Sequence, residues 1–174
     1  MNADGYRETP RTLRSRFPYM FSGPNIGFAF YRGWMLILRN ACEEIDALLG
    51  ADKRHFHWIQ IKEKLGTGRF YYHLDGGGGG VTVRVHDLTS SLPPQAPIVL
   101  EPAGQDEVVL KVSAIVQHAE LATHSACIVC GATATPRAYD GYWVNVCALH
   151  QPASAKDDTW RIRVRQAYLG DDDE

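Results

Sequence analysis

The sequence predicts an α+β fold: a small antiparallel sheet, made of a hairpin with added strands, packed with two main helices and a zinc-ribbon or knuckle-like module near the C-terminus. Three observations predict it. Apolar residues recur at steps of three and four through residues 34–49. A strand-like alternation broken by a glycine-bearing turn fills residues 57–74. CIVC (127–130) and CALH (147–150) together use three of the chain's four cysteines.

The elements follow in order. Residues 1–17 are polar and arginine-rich and read as an exposed lead-in. SGPNIG (22–27) makes a turn, and FAFY (28–31) is a short strand. In the first helix, Trp34, Leu38, Ala41, Cys42, Ile45, Leu48 and Leu49 form one stripe, with Glu43, Glu44 and Asp46 largely off it. Gly50 stops that helix. Cys42 lies on the stripe, so it is expected to be a buried thiol, not a ligand.

In the hairpin, His57, Ile59 and Ile61 alternate with Trp58, Gln60 and Lys62 before the turn at 65–68. Phe70 and Tyr72 are expected to face the core while the charged residues pair across the strands. His55, His57 and His73 sit nearby, and each is expected to be satisfied locally. Asp75 and five glycines (76–80) then read as a flexible connector. A phosphate loop would need a flanking strand, helix and lysine that are missing. VTVRVHDL (81–88) alternates as a third strand, and a proline-rich loop follows.

The second helix is expected over 106–123, with Val108, Val112, Ile115, Ala119 and Ala122 inward and His118 and Glu120 exposed; its first residues, EVVLKV, also suit a strand. Finally, WRIRVRQAYL (160–169) reads as a strand with Arg161, Arg163 and Arg165 on one side and Ile162 and Val164 on the other. GDDDE (170–174) is a solvated acidic tail. The expected organisation is a lead-in at 1–17, one α+β domain at 18–150 that includes a metal module at 125–150, and a strand and tail at 151–174.

At 174 residues, 45% hydrophobic and 22% charged, the chain can bury a core without disulfides. A formal net charge of -2 gives no global attraction to nucleic acid or anionic membranes. No apolar run reaches the roughly 18 residues of a membrane helix, and the first residues lack the apolar segment of a secretory signal. A reducing cytoplasm is therefore expected, where clustered cysteines bind metal more often than they form disulfides.

The spacing C-x2-C-x16-C-x2-H makes Cys127, Cys130, Cys147 and His150 candidate ligands of one ion. Two intervening residues let both members of a pair reach a metal from a tight turn, and Gly131 suits that turn. Three thiolates and an imidazole suit Zn2+ and complete a tetrahedral shell, so the expected role is structural. A redox CxxC would leave CALH unexplained. His118-Ala119-Glu120 mimics the H-x-E of nucleobase deaminases, but six residues before Cys127 leave no room for the strand that fold requires, and Ala126 stands where proline belongs.

Three segments occur in fixed order: GWMLILRNACEEIDAL, IQIKEKLGTGRFYY and SACIVCGATATPRAYDGYWVNVCALH. Together they resemble a family of small zinc-site proteins of phages, prophages and proteobacteria, whose members read roughly GW-helix-C, VKEKFGGLRFY, and CxxCG with a closing CxxH or CxxC. Gly33, Trp34, Cys42, Lys62, Glu63, Lys64, Gly66, Arg69, Phe70, Tyr71, Ser125, Cys127, Cys130, Gly131, Trp143, Cys147 and His150 fall on that pattern. The chain departs from it at Leu65 and Thr67-Gly68, in an insert at 75–102, and beyond His150. The resemblance implies the metal site and the fold outline.

No nucleophile–base pair or carboxylate dyad stands in a catalytic motif, so a non-enzyme is expected. The first expectation is a protein-binding protein, such as an inhibitor or immunity protein for a bacterial toxin or a phage-borne accessory factor. Glu43, Glu44, Asp46, Asp171, Asp172, Asp173 and Glu174 are candidate contacts to a basic partner, and Lys62, Lys64 and Arg69 give the hairpin a second candidate surface. The alternative is nucleic-acid binding through the metal module, those three hairpin residues and Arg161, Arg163 and Arg165.

Overall fold

The computed structural model describes residues 8–23, 26–75, 106–139, 141–154 and 157–169. At its centre is a β-α-β unit. Strand β1 (Phe28–Tyr31) leads through a 3-10 turn into helix α2 (Met35–Leu49), which returns the chain to β2 (His57–Lys64). A second helix, α3 (Glu107–Thr123), packs beside α2. A short helix, α1 (Pro10–Arg16), precedes the unit.

The sequence periodicity explains α2 closely. Met35, Leu38, Ala41, Cys42, Ile45 and Leu49 are its buried residues, and Trp34 just before it is fully buried. Gly50 ends the helix with a φ of 59°, and its N–H donates to the Asp46 carbonyl at 3.1 Å. Burial pushes the Cys42 thiol up to about 12, so it remains a neutral core group.

β2 continues through a tight turn into β3 (Thr67–His73), the expected hairpin. The sheet order is β3-β2-β1-β6, where β6 is the two-residue strand Tyr168–Leu169 near the end of the chain. It is mixed, not antiparallel throughout: β1 runs parallel to β2, with Phe28 beside Ile61. The reason is the helix between them, since a crossover that returns the chain to its starting end produces a parallel pair.

Within β2 the strict alternation fails at one residue. Trp58 and Ile61 are both buried although three positions apart, and Ile59 is partly exposed. The pairing register shifts between Trp58 and Gln60. A bulge at this point inserts one extra residue, which turns both large side chains inward. Phe70 and Tyr72 of β3 face the core as expected. The charges do not pair across the strands as expected, because Lys62 stands opposite Arg69. Lys62 lies instead over the Tyr71 ring, 5.0 Å from its centre.

Two expectations at the chain ends are corrected. Residues 8–17 are no exposed lead-in: α1 is capped by Thr9, carries Pro10 at its first position, and buries Leu13, with Phe17 following. The segment expected as a strand at 160–169 is mostly a helix, α4 (Asp158–Ala167), which turns at its end into the two-residue strand β6 (Tyr168–Leu169). Trp160, Val164 and Ala167 recur at helical spacing, and the Asp157 side chain caps the start by accepting the Trp160 N–H at 3.0 Å. A period-2 reading of WRIRVR fits the same letters, and the cap decides between them. β6 then pairs antiparallel with β1, setting Leu169 beside Phe30.

α3 buries Val112, Val116, Ala119 and Thr123, a stripe rotated slightly from the expected one. Its start is set by Asp106, whose carboxylate accepts the Val108 N–H at 2.9 Å. Asp106→Ala should therefore lower stability in denaturant titration by about 1 kcal/mol for the cap, with loss of its pairing to Arg54 adding to that. The glycine run and VTVRVHDL lie outside the described residues.

Candidate metal centre

The C-terminal module starts where α3 stops. Thr123 ends the helix, and the chain turns at once into Cys127 and Cys130. The Gly131 N–H donates to the Cys127 carbonyl at 2.8 Å, and Gly131 takes a φ of 76°. Strands β4 (Thr135–Tyr139) and β5 (Tyr142–Val146) form a two-stranded hairpin that delivers Cys147 and His150 back to the first pair. The second pair sits on its own turn, with the His150 N–H on the Cys147 carbonyl at 2.9 Å.

The four side chains converge as the spacing predicts. Their ligand atoms all lie within 4.8 Å of one another. Cys130 Sγ is 3.8 Å from Cys147 Sγ, and His150 Nδ1 is 3.5 Å from Cys127 Sγ and 3.2 Å from Cys147 Sγ. Zn–S bonds of about 2.3 Å and Zn–N bonds of about 2.0 Å give tetrahedral edges of about 3.8 Å between sulfurs and about 3.5 Å between sulfur and nitrogen. The donor set and its dimensions therefore suit a tetrahedral metal ion.

The local backbone prepares the thiolates. Burial pushes the Cys127 thiol up, but the N–H groups of Cys147, Val129 and Cys130 point at its sulfur and bring it below its ordinary value. Cys130 goes the other way, to about 11, because of burial and the charge of Cys127 beside it. A divalent cation held here would supply the positive charge that lets all three sulfurs ionise together.

The module does not stand apart from the core. The Gly33 N–H donates to the Ile128 carbonyl at 3.0 Å, and the Trp34 indole N–H to the Ala126 carbonyl at 3.0 Å. Gly33 and Gly131 meet backbone to backbone: a Cβ on Gly33 would lie 2.1 Å from the Cys127 carbonyl oxygen, and one on Gly131 2.6 Å from the Gly33 oxygen. Buried Asn145 of β5 ties the other side. Its amide donates to the carbonyls of Gly66, at 2.8 Å, and Thr123, at 2.9 Å. The Thr123 hydroxyl accepts the Gly68 N–H at 2.8 Å and donates to the Glu120 carbonyl at 2.6 Å. The GW pair, the glycine turn of the hairpin and CxxCG thus meet at one seam.

Sequence reasoning missed Asn145 and Thr123, whose one-letter surroundings resemble any polar position on a hairpin or helix. Thr123→Val should cost about 1–3 kcal/mol, because the Gly68 N–H would then be buried without an acceptor; chemical denaturation with metal bound measures it. Glu120 was expected on the exposed face, but its carboxylate accepts the Phe70 N–H at 2.9 Å.

The remaining candidate residues are scattered. Glu43 pairs with Arg16 at 2.7 Å and with Arg39 at 3.6 Å. Asp46 pairs with Lys53 at 2.7 Å and accepts the Tyr19 hydroxyl at 2.9 Å. These pairs spend on the fold two carboxylates expected to meet a partner, while Glu44 is exposed. Lys64 is half-buried in β2, and Arg69 donates to the Gly68 carbonyl at 3.2 Å. Arg161, Arg163 and Arg165 are exposed on α4, and α4 is fastened to the metal module by the Trp160 indole N–H, which donates to the His150 carbonyl at 2.8 Å. Asp171, Asp172, Asp173 and Glu174 lie outside the described residues.

Among the described residues no helix is long and apolar enough to cross a membrane. Comparison of the chain with protein-family models, curated proteins and solved structures gave no match.

Proposed function

We propose that this chain is a non-enzymatic binding protein held in shape by a structural zinc ion. The observation that supports it is the ligand set. Three thiolates and one imidazole fill a tetrahedral shell, and a filled shell leaves no position at which the metal could activate water or polarise a substrate. The work of such a protein is done by its surface. Its partner is another protein, in the manner of an inhibitor or immunity protein of a bacterial toxin or a phage-borne accessory factor, in a reducing cytoplasm. The resemblance of its three motif segments to small phage and proteobacterial zinc-site proteins supports the metal site on which this reading rests.

One observation favours a second reading, nucleic-acid binding. Around α1 and α2 the basic side chains of Arg16, Arg39 and Lys53 meet carboxylates. Arg163 and Arg165 are exposed and have no ion-pair partner within 4.0 Å among the described residues. The test is capture of the tagged, metal-loaded protein from nuclease-treated and untreated lysate, followed by binding of the purified candidate. A stoichiometric protein that survives nuclease and rebinds after purification supports the first reading. Material lost to nuclease, with affinity falling steeply as salt rises, supports the second and overturns the first.

A further inference from the structure

Arg54 and His55 are consecutive non-glycine residues in the left-handed region, with φ of 46° and 51°. Such backbone is unfavourable for L-residues and persists where surrounding contacts hold it. Here the contacts lead to two places far apart in sequence. The Arg54 carbonyl accepts the Asp75 N–H at 3.0 Å, just past the end of β3. The Arg54 guanidinium binds the carboxylate of Asp106, the cap of α3. His55 Nδ1 is 2.5 Å from one oxygen of Asp75, and His73 Nε2 is 3.0 Å from the other. The His57 ring stacks on His73 with centres 4.8 Å apart, and its Nδ1 is 2.9 Å from the His55 carbonyl. One turn therefore grips the chain on both sides of the inserted residues, at Asp75 and at Asp106.

The two grips differ in chemistry. A guanidinium keeps its charge at every pH a protein meets, whereas imidazole loses it near neutrality. We infer that Arg54 and His55 form a two-part clasp, whose histidine half on Asp75 loosens as pH rises through neutrality while its arginine half on Asp106 stays closed.

The neighbouring charges agree with this. Asp52 stands beside His55 and accepts the Arg54 N–H at 3.1 Å. Lys53, on the same cleft wall with Tyr19, is occupied by Asp46. The Asp75 carboxylate holds His55 above its ordinary value, and His55 and then His73 hold Asp75 below its own. A raised histidine contributes fully below about 6.5 and is lost as pH rises through its folded value. A lowered aspartate contributes above about 3.8 and is lost as pH falls through its folded value. Both act together between roughly pH 4 and 6.5, and the histidine contribution fades above that window.

The test uses the full, metal-loaded chain. Imidazole titration by NMR should place His55 above its value in Asp75→Asn. Exchange of the Asp75 amide, corrected for intrinsic base catalysis, should speed several-fold from about pH 6 to 8.5. In the double variant His55→Gln with His73→Gln it should be fast and independent of pH. In Arg54→Gln, where only the histidine half remains, the pH response should grow. An unchanged His55 titration in Asp75→Asn, or pH-independent protection of the Asp75 amide in the parent protein, would overturn the inference.

Discussion

Cys127→Ser will lose both the metal and the cooperative fold, and so will removal of the ion by a strong chelator. The expectation extends beyond residues 125–150. Apparent binding free energies of structural zinc sites run to about 10–16 kcal/mol, similar to the entire stability of a domain at about 5–15 kcal/mol. The module it holds also supplies groups on which the rest of the protein leans. The Ile128 and Ala126 carbonyls accept from Gly33 and Trp34, Asn145 spans the hairpin turn and the end of α3, and the His150 carbonyl receives Trp160. Metal analysis should find one equivalent of zinc in the parent protein and none in the variant. Circular dichroism on heating should lose its sigmoidal transition when chelator is added. A Cys127→Ser protein that stays soluble and unfolds at the parent temperature would show that the centre is not structural. Acid should mimic the chelator, because protons compete for three thiolates and an imidazole.

Gly33→Ala should be the most damaging single-carbon change outside the ligands, at about 3–5 kcal/mol, above the usual range for overpacking. The new Cβ would sit 2.1 Å from the Cys127 carbonyl oxygen and 2.7 Å from the Ile128 carbonyl carbon. Both obstacles are main chain, so no rotamer change relieves the clash, and the module must move off its seat. That movement would break the Gly33–Ile128 and Trp34–Ala126 hydrogen bonds as well. Gly50→Ala makes the control: Gly50 has a positive φ but nothing within 4 Å of an added Cβ. Its cost should be only backbone strain, about 1–3 kcal/mol, because a φ of 59° with a ψ of -136° is a conformation that side-chain-bearing residues rarely adopt. Denaturant midpoints of the two variants with metal bound measure the difference. A Gly33→Ala protein as stable as Gly50→Ala would mean that the seam is looser than the contacts between Gly33 and Ile128 imply.

The clustering of Cys127, Cys130, Cys147 and His150 was fully legible, because metal chemistry restricts residue type and spacing together. α2 was legible for a related reason: a wide apolar stripe and a terminal glycine agree with each other. What the letters concealed depended on distant partners. Ile59 reads as a core position until β3 fixes the pairing register and makes it the extra residue of a bulge. WRIRVR satisfies strand and helix periods alike, and only Asp157 at the cap and the landing of Trp160 on His150 select the helix. Leu13 belongs to a short polar segment whose burial depends on a core assembled elsewhere. Asn145 and Thr123 gain their importance from carbonyls and amides that come near only after folding. Glu43 and Asp46 were read as contacts to a partner because Arg16 and Lys53, which pair with them, lie outside α2; Arg39, four residues before Glu43 in the same helix, was the one legible partner.

The seam also bears on the order in which the protein forms. The Trp34 indole and the Ala126 carbonyl are 92 residues apart in sequence, so their meeting closes a long stretch of chain before any of it is rewarded, and contacts of that kind slow folding. The metal loop is short by comparison, and closure entropy rises with the logarithm of length. A chain that has bound its ion can present CIVCG as a finished surface, and the long closure then becomes the docking of two formed pieces. Refolding should therefore be faster when zinc is present from the start than when it is added after denaturant is removed, with the difference seen in the return of native tryptophan fluorescence.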